Sequence, residues 1–519
     1  MIVMIVSDDD DDIDDEIDDD EIDDDEIDYD KIDDEIDDDE IDDDEIDDEI
    51  DAEIDDDEID DDEIDDDDDE IDDDDIDEID DEINIMRLMM MMRLMMMMMR
   101  LMMMRLTVSK LSSGLVVASL EDYSPVSKVA LLVRAGSRYE TGDNLGITHC
   151  LRTYANLTTK GASTFRITRA IEELGANFNV LTTREHIMYL LDCQRDHVDN
   201  LMEVLVNVTL AQEFRPWELQ DAAPRLQLEK SLALLNPAVG VMENLHAAAF
   251  KNTLANSLYC PDFMIGAFSH DMLHDYVQHH YTSARMALVG VGVEHKLLKQ
   301  LAEQFLNVRG GIGSTSVKAN YIGGNVRVHG SGELTHAAVA SEGAPWGTLE
   351  ARAFSLLQHV LGAGPCIKRG TDAVGGKIGG AIAKAAGHPF AASAFNSSYR
   401  DSGLFGIYAV CNSGEVLQAA VGKVKTIAEG NLSAGEFQRA QNQLKASFLM
   451  GLEGKDALVD ELSTQVIETS SYTAPPSVLQ AIDAVKSADV IAAAKKFVTG
   501  KKTVAASGNL RSTPFADEL

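Results

Sequence analysis

The chain has 519 residues and a formal net charge of −53, but the charge is confined to one end. Residues 1–106 hold 57 of the 95 Asp and Glu and five of the 42 Lys and Arg, which leaves 38 acidic and 37 basic residues, a net charge of −1, for residues 107–519. So neutral a body excludes recognition of nucleic acid, polyanions or a lipid surface through bulk charge alone.

Residues 8–85 repeat units such as DDEI and DDDEI, and residues 86–106 repeat MMRL and MMMRL. The two patterns are one nucleotide repeat in two frames: GAT GAT GAG ATT encodes Asp-Asp-Glu-Ile, and the same string advanced by one base begins ATG ATG AGA, Met-Met-Arg. The tract therefore reads as a translated microsatellite, a gene-calling artefact that displaces the native N-terminus. As a real acidic tail it would be disordered, because it is highly charged and nearly free of aromatics. Its Met-rich end is neither a convincing presequence nor a membrane span. Arg87, Arg93, Arg100 and Arg105 split between two helix faces, and the longest arginine-free apolar run, Leu94–Met99, is far below the ~20 residues a span needs.

In the body, Cys150, Cys193, Cys260, Cys366 and Cys411 are odd in number, widely spaced and without a C-x-x-C pair. That argues against a disulfide framework or a cysteine zinc site and fits a reducing compartment. A body of 413 residues exceeds one ordinary core, which predicts about two domains.

Taken in order, GLVVASL (114–120) and KVALLVRAG (128–136) predict strands around a Pro-containing turn. Helical spacing covers Asp143–Thr159 and Phe165–Leu174, with Gly161 and Gly175 as stops. ANFNVLTTREHIMYLLDC (176–193) predicts two strands and HVDNLMEVLVNVTL (197–210) an amphipathic helix. Helices then fill Pro216–Leu235, Val239–Phe250 and Asp271–Tyr281, before strand ARMALVGVGV (284–293) and helix HKLLKQLAEQFL (295–306).

The second half repeats this order. THAAVASEGA (335–344) matches the strand KVALLVRAG, and the helix LEARAFSLLQHVLGAG follows it. ASAFNSSYRDSGLFGIYAVC (392–411) aligns with ANFNVLTTREHIMYLLDC, each with a charged pair mid-way and a closing Cys. EVLQAAVGKVKTI, SAGEFQRAQNQLKASFLM and the strand KTVAASGNL complete the match. The expectation is an α+β protein of two homologous domains, each a mostly antiparallel sheet covered by helices. Their bounds are 107–308 and 323–519, joined by a glycine-rich linker at 309–322 and preceded by the disordered tract 1–106.

A two-domain repeat, a strand ending AGSRYE, a helix beginning G-x-x-H and a glycine-rich LGAG segment together resemble mitochondrial processing peptidase and its inverzincin relatives (the pitrilysin family). ENLHAAAFKNTLANSLYCPD, HHYTSARMALVGVG, LLQHVLGAGP and AASGNL with a C-terminal DEL resemble the branch of that family built into ubiquinol–cytochrome c reductase, respiratory complex III. Active members carry H-x-x-E-H on a helix, two histidines for Zn²⁺ and a glutamate as general base, with a further glutamate downstream as a ligand. Mapped by motif, His149 takes the first ligand position, Arg152 the base position, Thr153 the second histidine position, and Glu229, 76 residues after Thr153, the distal ligand position. Arginine cannot serve as a base near neutral pH and repels a divalent cation. A His-plus-Glu remnant falls short of three protein ligands. These four positions therefore read as a degenerate zinc site, with no catalytic residue and no metal; the expected alternative use is a pairing of Glu229 with Arg152.

The resemblance implies a non-catalytic structural subunit on the matrix side of the mitochondrial inner membrane. Its partners would be core protein 1, cytochrome b, cytochrome c1 and the Rieske iron–sulfur protein, and it would hold no cofactor itself. No C-x-x-C-H haem attachment or cluster pattern is present in the sequence. Two rival readings are an accessory half of a shared presequence-processing site and a free matrix peptide-binding protein. LGAGPCIKRGTDAVGGKIGG (361–380) lacks the spacing of a phosphate loop, and Pro365 and Lys368 interrupt its glycines, so it reads as a flexible loop. His279 and His280 are adjacent, point about 100° apart on a helix, and read as surface or interface residues. No G-x-S-x-G nucleophile elbow is present in the sequence.

Overall fold

A computed structural model describes residues 105–311, 313, 316–330, 334–362, 376–385, 390–411, 415–511 and 513–519. The low-complexity tract, apart from Arg105 and Leu106, lies outside the described residues, as do Cys366 and most of the glycine-rich 361–380 segment.

The first half builds a six-stranded sheet from β1 (Arg105–Lys110), β2 (Val116–Glu121), β3 (Val126–Val133), β4 (Asn177–Thr182), β5 (Ile187–Gln194) and β6 (Met286–Val291), in the order β1-β2-β6-β3-β5-β4. Only the β2–β6 pair is parallel. Its helices are α1 (Ile147–Thr153), α2 (Thr164–Glu173), α3 (Val198–Leu210), α4 (Pro216–Leu234), α5 (Pro237–Ala249), α6 (His270–His280) and α7 (His295–Phe305).

The second half repeats the plan with β7 (Asn325–His329), β8 (Thr335–Glu342), β9 (Ala391–Ser398), β10 (Gly403–Cys411) and β11 (Thr503–Gly508), in the order β7-β11-β8-β10-β9. Again one pair, β7–β11, is parallel. Helices α8 (Leu349–Leu361), α9 (Gly376–Ala385), α10 (Glu415–Ala428), α11 (Ala434–Gly451), α12 (Lys455–Thr469), α13 (Pro475–Asp483) and α14 (Ser487–Thr499) accompany it. The protein is α+β, with two mostly antiparallel sheets covered by helices.

Alternation does not describe the central strands. Every residue of β6 is buried, and so are five of the six of β2. A strand buried on both faces needs cover on both. One face of each sheet packs on its own half's helices, giving two separate cores. The opposite face is covered by a helix of the other half. Leu458, Val459, Leu462 and Val466 of α12 pack on Ala118, Leu132 and Val289 of the first sheet. Val241, Leu245 and Ala249 of α5 pack on Ala338, Ala340 and Ala505 of the second. The small alanines let α5 approach closely. The two halves thus complete each other's cores by exchanging one helix each.

Charge reinforces the exchange. The turns β4–β5 and β9–β10 carry the aligned pairs Arg184-Glu185 and Arg400-Asp401, and they meet. The almost fully buried Arg138 donates to Glu185 at 2.7 Å and forms an ion pair with Asp401, while the Arg400 amide donates to Glu185 at 3.2 Å. Segment 317–322 of the connection is tied down rather than free. The Val317 carbonyl accepts from Arg138 at 3.0 Å, and the Ala319 amide donates to Asp401 at 2.9 Å.

A candidate metal site on helix α1

Helix α1 is shorter than its apolar spacing predicts, seven residues in place of the expected Asp143–Thr159. Both ends have a physical cause. Gly146 sits at φ +83, and a Cβ there would lie 2.6 Å from the Cys260 Cα, so the helix can begin only at a glycine pressed against Cys260. At the other end the chain leaves through Tyr154, and Thr159 forms a bridge with Gln212.

Glu140, the last residue of AGSRYE, holds the start of α1. Its carboxylate accepts the Gly146 amide at 2.8 Å, the Thr148 amide at 3.0 Å and the Thr148 hydroxyl at 2.6 Å. These bonds satisfy donors left open at a helix N-terminus. Burial pushes the Glu140 carboxyl up to about 7, against the pull of those bonds and of Arg184. No role for Glu140 was legible in the sequence; the available signal was an acid after an apolar strand and shortly before a Gly-initiated helix.

The four mapped positions come together. His149 is fully buried, and its Nδ1 accepts the Cys260 amide at 3.2 Å. A neutral imidazole that accepts at Nδ1 carries its proton on Nε2. That Nε2 lies 3.3 Å from Glu229 Oε2 but is not aligned for a hydrogen bond. Burial first, and the Arg152 charge with it, lower the His149 pKa although Glu229 pulls the other way, so the ring is neutral. Arg152 Nη2 donates to Glu229 Oε2 at 2.8 Å. The Thr153 hydroxyl lies 3.0 Å from both the His149 carbonyl and Glu229 Oε2. Arg225, one turn before Glu229 on α4, approaches Oε1 at 3.2 Å. Burial would raise the Glu229 pKa, but the contacts with His149, Arg152 and Thr153 outweigh it and hold it at about 2.

These residues do not fit a zinc ion. The lone pair a metal would need on His149 Nε2 is occupied by a proton, because the ring's other nitrogen faces a donor where ligating histidines face an acceptor. Glu229 is already saturated by cations and a hydroxyl, and a guanidinium stands in the base position. Among the described residues no three His, Cys, Asp or Glu side chains converge into a metal site. The arrangement holds a permanent carboxylate–guanidinium pair and can neither activate water nor shuttle a proton.

The other marked residues lie elsewhere. His279 is exposed, with Nδ1 at 2.6 Å from the Asp275 carbonyl. His280, expected at a surface or interface, is buried between Tyr139 and Tyr276 because α6 turns that face into the core. Cys150, Cys193, Cys260 and Cys411 are buried.

The duplicated α+β fold, with His149, Arg152, Thr153 and Glu229 brought together between α1 and α4, defines a peptidase-type scaffold, and comparison with known proteins gives its family. The insulinase profile (peptidase family M16) matches residues 116–262, and the peptidase M16 inactive-domain profile matches residues 267–444. The chain belongs to peptidase family M16. It is 55% identical over 414 residues to human "Cytochrome b-c1 complex subunit 2, mitochondrial", covering 79% of this chain and 91% of that protein. The rat protein of the same description is 52% identical over the same spans. The potato mitochondrial-processing peptidase subunit alpha is 29% identical over 422 residues, 79% of this chain and 84% of that one.

Proposed function

We propose that this chain is the second core subunit of the mitochondrial cytochrome b-c1 complex, ubiquinol–cytochrome c reductase, and that its role is structural. The observation that carries this reading is the 55% identity to the human subunit over 91% of that protein's length. The site geometry agrees, since Glu229 is held by Arg152 and Thr153 where a peptidase would hold zinc. The subunit supports assembly and stability of the complex. It pairs with core protein 1 and lies with cytochrome b, cytochrome c1 and the Rieske iron–sulfur protein, on the matrix side of the inner membrane. Among the described residues no helix is long and apolar enough to cross a membrane, so attachment runs through these partners. His149, Arg152, Thr153 and Glu229 are the vestige of a zinc site that now serves packing. The body divides into domains at 107–308 and 323–519, except that Arg105 and Leu106 of the repeat tract join the first sheet as the start of β1, and the tract before them is a translated repeat.

Native-gel fractionation of gently solubilised mitochondria tests this, with haem absorbance and peptide mass spectrometry read from the same lanes. Co-migration of body peptides with b- and c-type haem is the expected result, without peptides of the DDEI type. Migration as a small haem-free species would overturn the subunit reading and favour an accessory processing or peptide-binding role.

A further inference from the structure

The two sheets are built alike except at one edge. β2 pairs in parallel with β6, and β7 pairs in parallel with β11, so β7 is the counterpart of β2. Outside β2 lies a sixth strand, β1, paired antiparallel from Arg105 to Lys110. Among the described residues nothing pairs with the outer edge of β7. We propose that this edge receives an extended segment of another subunit, added as an antiparallel sixth strand in the way β1 is added to β2. The inference rests on the reading of the chain as a subunit of a larger assembly.

The backbone shows which groups are open. The Gly324 carbonyl accepts from Val504, and the Gly330 amide donates to Gly508, both on β11. Residues of one parity on a strand direct both backbone groups to the same side. Asn325, Arg327 and His329 therefore aim their N–H and C=O groups outward, away from β11. Burial tells the same story: β2 under β1 has no residue from Val116 to Leu120 more than 8% exposed, whereas Val328 is 44% exposed and is flanked by Ile322 at 41% and Leu334 at 47%.

The chain does not supply this strand from the segment that would correspond to β1. In the first half β1 runs into β2 through a tight turn at 111–115. The residues before β7 are committed elsewhere: the Asn320 carbonyl accepts from Lys251, the Ile322 amide donates to Ala249, and the Tyr321 hydroxyl donates to the Lys501 carbonyl at 2.9 Å. The opposite edge of the same sheet shows what protection looks like. On β9 the Ala394 amide donates to Gly362 at 2.9 Å, and its carbonyl accepts from Gln358 at 3.0 Å, so α8 plugs that edge. Exposed edges are otherwise defended by charged side chains, Pro or bulges; Asn325–His329 has no Pro and no bulge, and its one charged side chain, Arg327, is turned to Thr513 and Phe515.

The template also gives the incoming strand's chemistry. Leu106 and Val108 of β1 pack against the cluster that includes α12. By the same symmetry the added strand places alternate aliphatic residues beside Val326 and Val328, toward α5. On the other face the Arg327 guanidinium donates to the Thr513 carbonyl and stacks on the Phe515 ring, so the chain's own C-terminal segment already occupies that side chain, and the aliphatic face selects the added strand.

Hydrogen exchange of the 325–329 amides in the intact haem-containing complex tests the proposal, together with a cross-linker on His329→Cys. The expected result is exchange slowed at least about tenfold against unstructured amides at all three outward positions, with cross-links to a peptide of a different subunit. Fast exchange at these amides within the complex overturns the inference. Cross-links to residues 1–104 of the same chain, or to a second copy of it, overturn it as well. Recovery of the chain outside any haem-containing assembly removes the subunit reading and this inference with it, whereas fast exchange inside the assembly removes this inference alone.

Discussion

Arg152 and Glu229 keep about a quarter of their side chains exposed, yet they join at 2.8 Å beside a fully buried histidine. Removing one charge from such a pair leaves the other uncompensated, and reversing it sets two carboxylates against each other. Arg152→Glu is expected to cost about 2 kcal/mol of stability. Adding Glu229→Arg should recover at least half of that loss in urea denaturation, although His149 Nε2–H then faces a cation. A double variant no more stable than Arg152→Glu alone would show that the pair contributes nothing. The positions followed from the resemblance to the active family's motif, which also suggested the pairing that the structure contains. The orientation of His149 was not legible, because it depends on the Cys260 amide, 111 residues away in the chain.

At the scale of elements, α5 is fastened to the far half by His246. Its Nδ1 lies 2.7 Å from the Met242 carbonyl, so its Nε2 accepts the Tyr399 hydroxyl, also at 2.7 Å. Burial, and then the charge of Arg184, lower the His246 pKa to about 3. The unfolded chain protonates this group near 6.5, so the stability tied to neutral His246 is complete above that pH and is lost as the pH falls toward 3. Glu140 acts in the opposite sense: its raised pKa gives stability present below about 4.5 and lost as pH rises through about 7. The difference between wild type and His246→Gln isolates the histidine. Lowering the pH from 7.5 to 5 should cost wild type about 1–2 kcal/mol more than the variant, read from urea midpoints at both values; equal losses would refute the assignment. Most elements were legible because their periodicity is strong. Helices α12, α13 and α14 were not predicted, and α9 begins inside the stretch expected to be a flexible loop; β7 was missed because NVRVH is five residues of mixed polarity, and β1 because it begins in the last two residues of the repeat tract.

For the whole molecule, the helix exchange makes each half an incomplete protein. Without α12 the first sheet would expose Ala118, Leu132, Val289 and their neighbours, an apolar face too large for a soluble monomer. Residues 105–308 expressed alone are therefore expected to aggregate, and co-expression with 309–519 should restore a soluble pair. A soluble first half with a cooperative melting transition of its own would contradict the exchange as a source of stability. Intact, the body should unfold in a single transition, since neither core can open without uncovering part of the other.

The amino-acid sequence by itself determined the duplicated α+β plan, the family and the identity of the four motif positions on α1 and α4. Strand and helix periods, the paired segments at 176–193 and 392–411, and the identity of residues 149, 152, 153 and 229 are all local information. Tertiary structure alone decided which sheet each helix covers, the tautomer of His149 and the open edge of β7. The apolar stripe of α12, Leu458, Val459, Leu462 and Val466, can be read from spacing, but an apolar stripe carries no address. Burial rewards any matching face equally. Choosing among faces took the charged turns at Arg184-Glu185 and Arg400-Asp401, where Arg138 binds an acid from each half and fixes how they meet.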